Sequence, residues 1–195
     1  MYTLMALLSL IAVTGFALSF IQRRPGWLAA FVVADAAMLY THGWGIFFTL
    51  ASGIAWLWLL RRPAGRRELL RDGLIAFAAI ALLYLPWVPT LLYQASHTGA
   101  PWSSKPRLGV VAQLANLIGG WATAAALTIG ATAGLVAIWR GVPEQRDDAP
   151  KPSQARDTVI TLLIIAVGTL AIAWTLSQFN PAWAQRYMAA VICPI

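Results

Sequence analysis

The residues able to do chemistry in this chain are sorted by segment. It carries seven Asp and Glu against fourteen Lys and Arg. Glu68, Asp72, Glu144, Asp147, Asp148 and Asp157 share segments with most of the basic residues, and only Asp35 sits inside an apolar stretch. A second group of polar side chains lies in other segments: His42, His97, Lys105, Arg107 and Arg186, with Gln94, Gln113, Asn116, Gln178, Asn180 and Tyr187. Cations and amides without an acid suit an anionic ligand such as a lipid phosphate. They offer no carboxylate to act as a general base. Lys105 and Arg107 have a plainer reading, in which their stems lie along apolar surface and their heads reach lipid headgroups.

His42 is the switchable group of this set. It either contacts a substrate or lipid phosphate, or bonds to the backbone at a helix end. Asp35 precedes it by seven residues, about 10 Å along a helix, too far to pair directly. A carboxylate inside a membrane is functional by default and needs a partner; a bond to a neighbouring helix is the structural alternative. No phosphate-binding Gly loop, His-Glu-x-x-His or Gly-x-Ser-x-Gly motif occurs. Two distant histidines and the single Cys193 make a metal site or an internal disulfide an unpromising reading, and no cofactor is expected.

Apolar elements must position these groups. The chain is 59% hydrophobic and 11% charged, where a soluble domain carries about 25% charged residues. We therefore expect an all-α, polytopic transmembrane bundle, a single domain over residues 1–195. Spans need about 20 apolar residues. They are expected at about 2–21, 27–41, 44–60, 74–93, 121–139 and 158–178, with a partial one at 187–195. The stretch Trp27–Leu60 lacks Lys and Arg and is too long for one span, and the glycines of Thr41-His42-Gly43-Trp44-Gly45 break it. Pro86 and Pro89 should kink the fourth span near its end. Residues 107–119 pattern as a short interfacial helix, with Val110, Val111, Leu114, Leu117 and Ile118 on one face. Residues 141–157 read as a polar, Pro-bearing cytoplasmic loop.

All but three of the Lys and Arg fall in three segments: Arg23–Arg24, Arg61–Arg71 and Arg140–Arg156. Basic loops on one side orient the spans, so these segments are expected inside and Met1, His42, Lys105, Arg107 and Arg186 outside. Trp27, Trp44, Trp102, Trp121, Trp139 and Trp183 fall near span ends, as an aromatic belt does. The net charge of +7 is thus a membrane feature rather than a nucleic-acid surface. The apolar run from Tyr187 stops after nine residues, too few to cross a bilayer. A fragment of a longer protein is therefore expected, with Met1 an internal methionine.

Several segments resemble one family. Leu39-Tyr40-Thr41-His42-Gly43-Trp44-Gly45 resembles the "LYTHY-G" turn of bacterial membrane glycosyltransferases of the GT-C type. These are relatives of protein O-mannosyltransferases and of the lipid A aminoarabinose transferase. Met1-Tyr2-Thr3-Leu4 resembles their "R-x-Y-x-L" opening of a middle span. Tyr84-Leu85-Pro86-Trp87-Val88-Pro89, followed by His97-Thr98-Gly99, resembles their "LPWLP" span end and the loop after it. Gln185-Arg186-Tyr187 resembles the "RY" that opens a later span. The resemblance implies a hexosyl- or pentosyltransferase of the bacterial inner membrane. It would move mannose or a similar sugar from a polyprenyl-phosphate donor to a protein, glycan or lipid acceptor on the outer face. It further implies a catalytic Asp or Glu in an outer loop upstream of Met1, so this chain alone is expected to be inactive. Arg186 would face the lipid-linked phosphate; Lys105 and Arg107 lie outside the matching motifs and are assigned to it on their charge alone. Tyr40, His42 and Tyr187 would line the outer cavity. The aromatic that follows "YTH" is displaced here by Gly43 to Trp44. Two other classes remain open: a transporter or lipid flippase using Asp35, and a non-catalytic membrane scaffold.

Overall fold

The computed structural model describes residues 1–62, 65–97, 105–107, 109, 120–140, 152–179 and 183. Among them 88% are helical and none is in a strand, so the fold is all-α. The helices are α1 (Tyr2–Phe16), α2 (Leu28–Thr41), α3 (Gly45–Leu59), α4 (Arg66–Tyr84), α5 (Val88–His97), α6 (Trp121–Trp139) and α7 (Pro152–Phe179). A wider π turn, Ala17–Ile21, extends α1.

The breaks have local causes. Arg23 takes a positive φ of 59° and ends the first helix, and Pro25 opens the 3₁₀ turn leading into α2, where its missing N–H costs nothing. At the other end of α2 the His42 N–H closes the helix onto Met38 O at 3.1 Å. Gly45 then lets α3 start against α2, because a Cβ there would stand 3.0 Å from Leu39 N and Met38 O. Gly65, at φ +70°, precedes α4 in the left-handed region. Pro86 sits in a 3₁₀ turn, Leu85–Trp87, that separates α4 from α5. The kink expected from the two prolines is therefore a change of helix type.

Among the described residues three helical stretches are long and apolar enough to cross a membrane: Tyr2–Ile21, Arg66–Gln94 and Gln154–Phe179, with mean hydropathies of 2.4, 2.0 and 2.4. Pro25–Thr41, Gly45–Leu59 and Trp121–Ala137 are apolar but shorter. Six spans were expected from hydropathy; among the described residues three helices are long enough to cross, and the spans expected at 27–41, 44–60 and 121–139 form shorter apolar helices. Two other boundaries differ from expectation. The helix containing span four starts at Arg66 rather than 74, and α7 starts at Pro152, so residues 152–157 are helix and not loop. Hydropathy marks where charge begins, whereas helix propensity continues through Arg66, Arg67, Glu68 and Arg71, and through Gln154, Ala155 and Arg156. Residues 141–151, the partial span 187–195 and the interfacial helix at 107–119, apart from Arg107 and Gly109, lie outside the described residues.

α2 packs between α1 and α4, while α3 packs chiefly on α7. Phe16, Phe31 and Phe77 join α1, α2 and α4 edge to face, with centroids 5.4 and 5.8 Å apart. Small residues permit the approach, as in membrane helix pairs generally. A Cβ at Gly15 would stand 2.8 Å from the Phe31 backbone N, and one at Gly73 would overlap the Trp56 indole. The same indole donates from Nε1 to Leu69 O at 2.9 Å, fastening α3 to α4. Outward, Leu82, Ile129 and Phe179 are 67%, 70% and 82% exposed, an apolar exterior that fits lipid and not water.

Candidate functional site

The bundle has two unlike ends. At the basic end Arg23 reaches Asp72 at 3.4 Å and Glu68 at 3.7 Å. Arg71 holds Asp72 through Nε at 3.1 Å and Nη2 at 2.9 Å. Arg62 pairs with Asp157, joining the α3–α4 connection to the start of α7. Burial, and then the nearby Arg156, hold the Arg62 guanidinium below its ordinary range. These pairs bring the three acids of the described ends together with the basic segments.

The opposite end is aromatic, and among the residues singled out in the sequence it carries Tyr40, His42, Lys105 and Arg107. Tyr40, 46% exposed, donates its hydroxyl to Leu83 O at 2.8 Å. Its ring meets Tyr84 at 5.5 Å and Trp87 at 5.9 Å. The phenol therefore fastens α2 to the end of α4 and still presents a face outward. His42 accepts the Trp44 N–H at Nδ1, 3.1 Å away. A lone pair on Nδ1 places the imidazole proton on Nε2 in the neutral ring. The side chain thus satisfies one of the free N–H groups at the start of α3, which is the helix-end role. The Tyr2 ring lies 6.0 Å away, bringing the start of α1 to the same turn. Trp44 is buried and packs edge-on against Trp183 at 5.0 Å.

Lys105 and Arg107 are both exposed and flank the buried Pro106. The Pro106 carbonyl accepts from Gln178 Nε2 at 2.9 Å, which fixes this basic segment at the end of α7. His97 is occupied locally, its Nδ1 beside Tyr93 O at 3.0 Å and its ring stacked on Tyr93 at 4.2 Å. Arg186 and Tyr187 lie outside the described residues.

Asp35 stands apart from both ends. It is 0% exposed, and its Oδ1 accepts from Thr49 Oγ1 of α3 at 2.7 Å. The helix-neighbour reading of Asp35 thus has its partner. Thr49 was not singled out in the sequence, yet a signal existed. Asp35 and Thr49 stand seven residues either side of His42, and an antiparallel hairpin turning at that residue sets them at equal depth.

Among the described residues no three His, Cys, Asp or Glu side chains gather as metal ligands would. Comparison with family models, with curated proteins and with solved structures finds no match to this chain. The site is therefore defined by its own geometry: an aromatic end that, among the described residues, has no acid and exposes Lys105 and Arg107, and a buried carboxyl between helices.

Proposed function

We propose that this chain is the membrane-embedded part of a glycosyltransferase that uses a polyprenyl-phosphate sugar. The six apolar helices lie across a bacterial inner membrane with the basic end in the cytoplasm. The aromatic end receives the donor's phosphate at the outer surface. One observation carries the reading: the described carboxylates of the two ends all pair at the basic end, while the end that holds Tyr40 and His42 also exposes Lys105 and Arg107, which have no acidic partner among the described residues. An anion is drawn to that end, where a cation can stabilise a phosphate as charge develops on it in leaving. Sequence supports the same reading through the segments around Tyr40-Thr41-His42, Leu85-Pro86-Trp87 and Arg186-Tyr187. Lys105, Arg107 and Arg186 serve as the phosphate contacts in this proposal, with Tyr40, His42 and Tyr187 lining the cavity. The base that activates the acceptor is an acid supplied from outside residues 1–195.

The test uses the chain in lipid nanodiscs and a polyprenyl-phosphate mannose as probe. Arg107→Ala and Lys105→Ala are each expected to weaken binding about tenfold, roughly 1.4 kcal/mol. In a longer protein containing this segment, Arg186→Ala is expected to abolish transfer. Unchanged binding in both alanine variants, or full transfer with Arg186→Ala, sinks the assignment.

A further inference from the structure

Asp35 plays no part in that reading, and its surroundings are specific. Its carboxyl is fully buried near the middle of α2, with Thr49 donating to Oδ1. No group among the described residues partners Oδ2. Ser52 stands three residues beyond Thr49 on α3, so helical spacing puts both hydroxyls on one face. It too is fully buried, with its Oγ unpartnered among the described residues.

Counter-charges are missing from the apolar stretches of the neighbouring helices. α1 and α3 contain no Asp, Glu, Lys, Arg or His, α4 contains none from Gly73 to Tyr84, and α7 none from Thr158 to Phe179. The titratable groups nearest along α2 and its turn are Tyr40 and His42, five and seven residues away. Both are engaged at the aromatic end, by Leu83 O and by the Trp44 N–H. An ionised carboxylate held by one hydroxyl and facing no cation is costly in such surroundings. A metal cation fares no better, since one carboxyl and two hydroxyls are too few oxygens to replace its hydration shell.

We propose that Asp35, held by Thr49 and with the buried Ser52 one turn further along the same face of α3, is a proton-exchange site buried within the helix bundle. Thr49 Oγ1 has two acceptors within reach, Asp35 Oδ1 at 2.7 Å and Gly45 O at 3.1 Å; with its one proton given to Oδ1, the nearer, the carboxyl proton resides on Oδ2. Exchange breaks the O–H bond to a water molecule and remakes it from one, with no electron transferred and the Thr49 bond kept. Ser52 Oγ supplies the nearby hydroxyl that such a water would bond.

Infrared difference spectroscopy of the full chain in lipid nanodiscs tests this, comparing wild type with Asp35→Asn. Asn keeps an acceptor for Thr49, so the bundle is retained, and Asp35→Glu checks that any carboxyl there restores the signal. The expected result is a protonated-carboxyl C=O band, absent in Asp35→Asn, that shifts down in D₂O. Thr49→Val should move the band upward by removing the hydrogen bond to the carbonyl oxygen. Absence of the band means an ionised group. A band that ignores D₂O for hours means a sealed structural acid. Either result overturns the proposal, and neither depends on glycosyl transfer.

Discussion

The two ends of the bundle are built from opposite chemistries. The basic end is fastened by charge, with Arg23, Arg62 and Arg71 set against Glu68, Asp72 and Asp157. The aromatic end is fastened by rings and neutral hydrogen bonds: Tyr40 to Leu83 O, His42 to the Trp44 N–H, and Gln178 to Pro106 O. The difference separates structure from binding. At the basic end every described acid has a basic partner, and charge holds connections together. At the aromatic end the helix ends are held without charge, and Lys105 and Arg107 are exposed. Substitutions at the two ends should therefore differ in size and in their response to salt.

The largest effect is expected from Trp44→Ala. Trp44 is 3% exposed and touches Phe47 at 5.6 Å and Trp183 at 5.0 Å. Removing a buried indole costs about 3 kcal/mol or more through lost contacts and a cavity. Thermal unfolding in nanodiscs, followed by circular dichroism, should show this loss unchanged between low and high salt. A strongly salt-dependent loss would mean that charge, not packing, holds the aromatic end.

Second comes Arg62→Ala, which strips the partner from Asp157, a side chain only 11% exposed. Breaking a fully buried pair costs about 3–5 kcal/mol. Arg62 is 33% exposed, so screening reduces the expected loss to about 1–2 kcal/mol. Asp157→Asn in the same background should recover part of it, since no charge is then left unpaired. A double variant as unstable as the single one would show that Arg62 acts through packing.

The two ends also differ in how legible they were in the sequence. Hydropathy and charge placed the all-α class, the break at Thr41–Gly45 and the proline interruption at Pro86, because each rests on a local property of the chain. Helix bounds were less legible. Arg66–Asp72 and Pro152–Asp157 are polar yet helical, and a hydropathy reading stops where charge starts. Side-chain partners were the least legible. The Arg23–Asp72 and Arg62–Asp157 pairs join residues far apart in sequence, and their choice depends on which helices pack. Only Asp35–Thr49 could have been anticipated, from its symmetry about His42.

Tyr40→Phe is the third test. It keeps the ring contacts to Tyr84 and Trp87 and removes only the bond to Leu83 O. A single neutral hydrogen bond contributes about 0.5–1.5 kcal/mol. The loss should appear in thermal unfolding, again without salt dependence. If Tyr40 lines the donor cavity, its outward face is ring and not hydroxyl, so polyprenyl-phosphate mannose binding should fall by no more than the stability change accounts for. A drop in binding of tenfold or more with stability unchanged would assign the hydroxyl to the ligand.

Arg23→Ala should have the smallest effect and the clearest salt signature. Arg23 is 37% exposed, and its partners Glu68 and Asp72 are 63% and 20% exposed. Pairs of this kind contribute about 1 kcal/mol at most, and added salt erodes them. Asp72 keeps Arg71 when Arg23 is lost, and Glu68, which loses its partner, is exposed enough to be solvated. A second consequence comes from the backbone. Arg23 has a φ of 59°, where a residue with a Cβ is strained, and Arg23→Gly relieves that strain while removing the same ion pairs. If the ion pairs matter more than the turn, both variants lose stability and both losses fade at high salt. If the turn matters more, Arg23→Gly exceeds wild type at high salt while Arg23→Ala only matches it, and backbone geometry rather than charge would then set the stability of this corner.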